Sequence, residues 1–116
     1  MKIDFKSKKL EKELGTTKGQ AKLGTTRAKL LRRRLNLLGS AETLADLAPP
    51  YSPPSRCHEL VEGKRGKQHQ LSVDLDHPYR LIFVPDHEPI PFREEGGLDW
   101  SQVTAIKILG VEDTHD

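Results

Sequence analysis

Apolar positions recur along this chain with two periods, and the change of period divides it near its middle. Lys2 to Phe5 alternates Ile3 and Phe5 with polar residues and reads as a short opening strand. Ser7 is a candidate N-cap for a helix over 8–14, with Leu10 and Leu14 four residues apart and Gly15 as its stop. From about Lys18 to Leu38 the pattern is helical: Ala28, Leu31, Leu35 and Leu38 share one face, and Gly39 ends it. Gly24 weakens the middle of that stretch, and Thr25 or Thr26 could cap a second start. Ser40 then caps a short helix over 41–47. Leu14-Gly-Thr-Thr-Lys recurs as Leu23-Gly-Thr-Thr-Arg, too short a repeat to define a solenoid.

Pro49, Pro50, Pro53 and Pro54 make 49–55 an extended connector that cannot be helical. Beyond it the period falls to two. Strands are predicted over 57–61, 68–75 and 79–84, joined by a basic turn at 62–67 and by Asp76-His77-Pro78. Leu71, Val73 and Leu75 alternate with Gln70, Ser72 and Asp74; Tyr79, Leu81 and Phe83 face away from Arg80, Ile82 and Val84. Residues 85–102 form a long excursion of the kind that carries function. Val103 to Val111 is the last strand. The order predicts one α+β domain over 1–116, with an N-terminal strand and helices packed on one face of a mainly antiparallel sheet of four to five strands.

Composition sharpens this picture. Hydrophobic residues make up 34% of the chain and charged residues 31%, which predicts a small core under a heavily charged surface. No apolar run is long enough to cross a membrane, and the first residues lack the apolar stretch of a secretory signal. A single cysteine, Cys57, fits a small buried hydrophobe in a reducing, cytoplasmic setting. The net charge of +2 hides an asymmetry. Residues 1–56 hold 13 Lys/Arg against 5 Asp/Glu, a net of +8, and residues 57–116 hold 6 against 12, a net of −6. A basic half of this size points to a polyanion, most simply nucleic acid, although a solvated helix surface has the same composition.

The residues suited to chemistry gather in 56–83. His58 lies on the first strand of the sheet half, Lys64, Arg65 and Lys67 crowd its turn, and Arg80 stands on an otherwise apolar strand, where a charge is either paired or functional. Breaking an RNA strand without a metal requires a base for the 2′-hydroxyl, an acid for the departing 5′-oxygen and a cation for the phosphorane. Histidine, arginine and lysine supply all three. Metal-ligand spacings, a nucleophile elbow and a phosphate-binding glycine loop are missing from the sequence, so no cofactor is expected. Plain structural readings stand beside these: His58 as a core histidine, the basic turn as a solvated loop, His115 as tail. His69, His77 and His87 are assigned nothing.

His58-Glu59-Leu60, Gly63-Lys64-Arg65-Gly66-Lys67, Asp76-His77-Pro78-Tyr79-Arg80-Leu81-Ile82-Phe83, Val103-Thr104-Ala105-Ile106-Lys107-Ile108-Leu109 and Asp113-Thr114-His115 together resemble the HigB-like killer proteins of the RelE/ParE toxin superfamily. The resemblance runs from about residue 2 to 115. It implies the toxin of a type II toxin–antitoxin system, a ribosome-dependent mRNA interferase acting without metal. It implies His58, Arg80, Asp113 and His115 as catalytic residues, and Lys64, Arg65 or Lys67 as the phosphate contact. Its partners would be a cognate antitoxin of helix-turn-helix type, the ribosome and mRNA. Arg27, Arg32, Arg33 and Arg34 would lie on ribosomal RNA. Thr114 departs from the family's tyrosine, which implies weaker activity. Two other readings are a gyrase-poisoning toxin of the ParE branch and a degenerate toxin kept as an antitoxin-binding module.

Overall fold

The computed structural model describes residues 1–60 and 69–113. Strand β1 (Lys2–Phe5) leads into helices α1 (Lys8–Leu14), α2 (Thr17–Ala21) and α3 (Thr25–Ser40), and a 3-10 turn follows at Leu44–Leu47. The sheet half supplies β2 (His58–Glu59), β3 (Leu71–Asp74), β4 (Tyr79–Pro85) and β5 (Ala105–Asp113). The strands lie in the order β1-β5-β4-β3-β2. β1 runs parallel to β5 and the other pairs are antiparallel, so the fold is α+β with three helices on a five-stranded mixed sheet.

The expected single helix over 18–38 is instead two. The repeated Leu-Gly-Thr-Thr segments are where helices stop and start again. Gly15 ends α1, and the Thr16 hydroxyl accepts from Gly19 N to cap α2. Gly24 stands at the head of α3 with φ of 93°, a left-handed conformation that costs glycine little. Gly39 does not stop α3, which runs to Ser40, and the helix expected over 41–47 is reduced to the 3-10 turn at Leu44–Leu47. The Met1 ammonium donates to the carbonyls of Leu38, Gly39 and Ala41, placing a positive charge where a helix end favours one.

The core lies between the helices and one face of the sheet. Leu31, Leu38 and Leu44 meet Leu71, Val73, Leu81, Phe83, Ile106 and Ile108, all without exposed surface. The alternation expected in β3 and β4 is observed: Leu71 and Val73 pair with Phe83 and Leu81 on the core side, and Ser72 and Asp74 pair with Ile82 and Arg80 on the other. Four strands differ in extent from the sequence reading, β4 only by reaching Pro85. β2 is two residues long, β3 starts at Leu71, and β5 is displaced two residues towards the C-terminus. Phe83 pairs with Ile108 and Ile82 with Gly110, so Leu109 is an unopposed bulge residue.

Candidate functional site

The sheet face turned away from the core carries the candidate chemistry. His58 on β2 pairs with Ser72 on β3, and Ser72 pairs with Ile82 on β4. One step along, Asp74 pairs with Arg80, and Arg80 pairs with Glu112 on β5. Strands about 4.8 Å apart with a rise of about 3.4 Å per residue put the His58 and Arg80 backbones about 12 Å apart. The two side chains therefore share a face without lying in adjacent pairs, and Ser72 and Ile82 between them are fully buried.

His58 is buried. Its Nδ1 lies 2.7 Å from the Arg56 carbonyl, which can only accept, so Nδ1 carries the hydrogen and the neutral ring keeps its lone pair on Nε2. Tyr51 stacks on this ring, 4.1 Å between centroids and 16° from parallel. The segment holding Tyr51 is closed on itself by Tyr51 N donating to Cys57 O and Arg56 N donating to Ser52 O. Tyr51 and Arg56 take φ of 68° and 51°, left-handed values that cost about 1–2 kcal/mol per residue outside glycine. The Arg56 guanidinium lies 5.3 Å from the Tyr51 ring centre.

Asp74 joins the two arginines of this face. Its Oδ2 lies 3.2 Å from Arg56 Nε and its Oδ1 lies 3.2 Å from Arg80 Nε. Arg80 is thus not the lone cation expected from its strand. Pairing holds it in place, and a guanidinium with five donors keeps others for a ligand. Ser72 has no exposed surface, and its hydroxyl has no hydrogen-bond partner. Cys57 is fully buried next to His58, and burial pushes its thiol up to about 12, so it is protonated and unreactive at neutral pH.

The basic helix separates into two kinds of arginine. Arg32 and Arg33 are exposed, as the nucleic-acid reading requires. Arg34 is buried, and its Nε donates to the Asp74 carbonyl at 2.7 Å; desolvation holds its pKa below the ordinary guanidinium value. Arg27 forms a two-pronged pair with Asp76, Nε to Oδ1 at 3.0 Å and Nη2 to Oδ2 at 3.1 Å, and lies 3.6 Å over the Tyr79 ring. Arg27 and Arg34 therefore act in tertiary structure, which corrects their placement on a free RNA-facing surface. The signal was in the sequence: 27, 31, 34 and 38 fall on one helix stripe, with Leu31 and Leu38 as its apolar members.

Of the other expected residues, Asp113 pairs with Tyr79, one residue out of phase with Arg80, so the register puts Glu112 beside Arg80 instead. Lys64, Arg65, Lys67, Thr114 and His115 lie outside the described residues. Sequence reasoning missed Tyr51, Arg56 and Asp74. The signal for Asp74 was its place opposite Arg80 on a predicted hairpin; nothing local announced Tyr51. Among the described residues no group of three or more His, Cys, Asp or Glu side chains could hold a metal ion, and no helix is long and apolar enough to cross a membrane.

Comparison with known proteins returns no matching family, no matching characterised protein and no matching solved structure.

Proposed function

We propose that this protein is the toxin of a type II toxin–antitoxin pair, with a RelE-like fold, and a cytoplasmic endoribonuclease that cleaves mRNA on the ribosome. The observation that carries the reading is a histidine with a committed tautomer and a carboxylate-anchored arginine on one sheet face. His58 Nε2 takes the proton of a 2′-hydroxyl. The 2′-oxygen bonds to the adjacent phosphorus while the P–O5′ bond breaks. His115, assigned by the resemblance, returns a proton to O5′, giving a 2′,3′-cyclic phosphate and a 5′-hydroxyl. Arg80, with Arg56 beside it, neutralises the charge that builds on the phosphorane, and Lys64, Arg65 or Lys67 meets a neighbouring phosphate. Exposed Arg32 and Arg33 contact ribosomal RNA. An antitoxin of helix-turn-helix type holds the activity in check.

Mapping 5′-hydroxyl ends in a translating ribosome system tests this. Arg80→Ala should lower single-turnover cleavage several hundredfold, since removing a preorganised charge from a transition state costs about 3–4 kcal/mol. Absence of cleavage by the parent protein, or equal rates for the two, overturns the reading.

A further inference from the structure

Strand β5 is nine residues long, but its parallel neighbour β1 covers it only from Ala105 to Ile108. The Lys6 N–H makes the last bond along that edge, to the Ile108 carbonyl. Past this point the chain turns off at Ser7 into α1. Among the described residues, Gly110 and Val111 therefore pair with β4 on one side, Leu109 bulges between pairs, and no strand lies along the other side of this stretch. Gly110 has open space above it, where a Cβ would meet nothing within 4 Å. An open edge of this kind is where proteins recruit another strand, and natural folds usually block it.

Here the edge is not blocked but forms one wall of a cleft of about 790 Å³. Leu10 and Leu14 of α1 and Leu23 of the turn between α2 and α3 supply apolar surface opposite. Lys6, Lys12, Lys18 and Lys22 line the same cleft, against Glu13 and Glu112. Those four lysines are exposed, and none makes an ion pair among the described residues. Among the described residues Lys2, Lys8, Lys9, Lys29, Arg32 and Arg33 are likewise exposed and without an ion pair, so what sets these four lysines apart is that they surround an apolar cleft with an open strand edge as one wall.

We propose that this cleft binds an extended, acidic peptide segment of a partner protein, which adds to β5 as the continuation of β1. Main-chain bonds to Leu109–Val111 would give the affinity, alternate apolar side chains would enter between Leu10, Leu14 and Leu23, and carboxylates on the other face would meet the lysines. The required pattern is period-two alternation of Asp or Glu with Val, Ile or Leu. A helix would satisfy the charges and leave the strand edge unpaired. The inference uses neither His58 nor Arg80 and stands apart from the RNA-cleavage reading.

The probe is an acetylated, amidated, fluorescein-labelled octapeptide alternating glutamate with valine, titrated with the full chain by fluorescence anisotropy. Two further peptides are N-methylated at every glutamate or at every valine. One of them should bind at least about tenfold more weakly than the parent, because one edge of the added strand faces β5. The double variant Lys12→Glu/Lys22→Glu should weaken the parent peptide about tenfold while keeping the parent circular dichroism spectrum. Arg80→Ala should bind it unchanged, which separates this site from the cleavage site. No binding of the parent peptide, equal binding of all three peptides, or equal binding by the charge-reversed variant overturns the proposal.

Discussion

The two cationic regions of this molecule are built from different side chains and bonded in different ways. At the β3–β4 end, Arg27 and Arg34 from α3, Arg56 and Arg80 converge; Arg27 and Arg34 hydrogen-bond to Asp76 and to the Asp74 carbonyl, and Arg56 and Arg80 form ion pairs with the Asp74 carboxylate. Around the α1–α2 cleft, Lys6, Lys12, Lys18 and Lys22 come from one short stretch and make no ion pair among the described residues. A guanidinium is planar and weakly hydrated and matches carboxylates and carbonyls with a fork of donors, whereas an ammonium on a flexible stem stays in water. The cations of these two regions are therefore two populations. One is structural and has spent its charge inside the molecule; the other is available to a partner. Counting charges along the sequence merges them.

Removing Asp74 should break this contrast most severely. Asp74→Ala leaves Arg56 and Arg80 near one another without the carboxylate between them, and with two partly exposed pairs each worth up to about 1 kcal/mol the expected loss is about 1–2 kcal/mol of unfolding free energy. Urea denaturation should show a lower midpoint at unchanged slope. An unchanged midpoint would mean that the two pairs are surface contacts of little consequence.

The Arg27–Asp76 pair gives a smaller, pH-dependent effect. Its first cause is the side-chain hydrogen bond from Arg27, which holds the Asp76 carboxyl below its usual value. A depressed folded-state pKa stabilises above the unfolded value of about 3.9 and is lost as pH falls through the lower folded value. The half-exposed setting limits the contribution to about 1 kcal/mol. Asp76→Asn should thus be less stable than the parent at pH 7, and the gap should close as the pH falls below about 4. A gap that persists at pH 2 would assign the loss to packing over Tyr79 instead.

Lysines of the cleft should give the smallest effect. Lys12→Ala should shift Tm by less than about 2 °C in the unbound protein, the range of a surface substitution free of structural contacts. A larger fall, seen by calorimetry, would return Lys12 to the structural population.

How legible each region was follows from the range of the interactions that make it. The sheet face of β3 and β4 was readable in advance, because side chains alternate with period two and Leu71, Val73, Leu81 and Phe83 declare the core side. Placement of Arg80 away from that core followed from the same alternation, whereas the face taken by His58 is set by its pairing with Ser72. The stop after Leu14 was readable from Gly15, and a break near Gly24 was visible, but the expected threonine cap is not made: Gly24 is the N-cap of α3 and no side chain caps it. The fate of Arg34 was half readable: its position on the stripe of Leu31 and Leu38 was visible, but the Asp74 carbonyl that receives it was not.

What the sequence by itself determined about this protein is the division into a helical and a sheet half, the buried side of the sheet, the buried state of Cys57 and the unequal distribution of charge. Each depends on spacing within one element or on composition. Only the tertiary structure decided that Tyr51 lies on His58, that Asp74 carries two arginines, that Glu112 rather than Asp113 stands beside Arg80, and that β5 outruns β1 to leave an open edge. These depend on strand register and on chain segments meeting across the fold. A shift of one residue in β5 would exchange the places of Glu112 and Asp113, and no local pattern in that strand specifies the bulge at Leu109 that sets them.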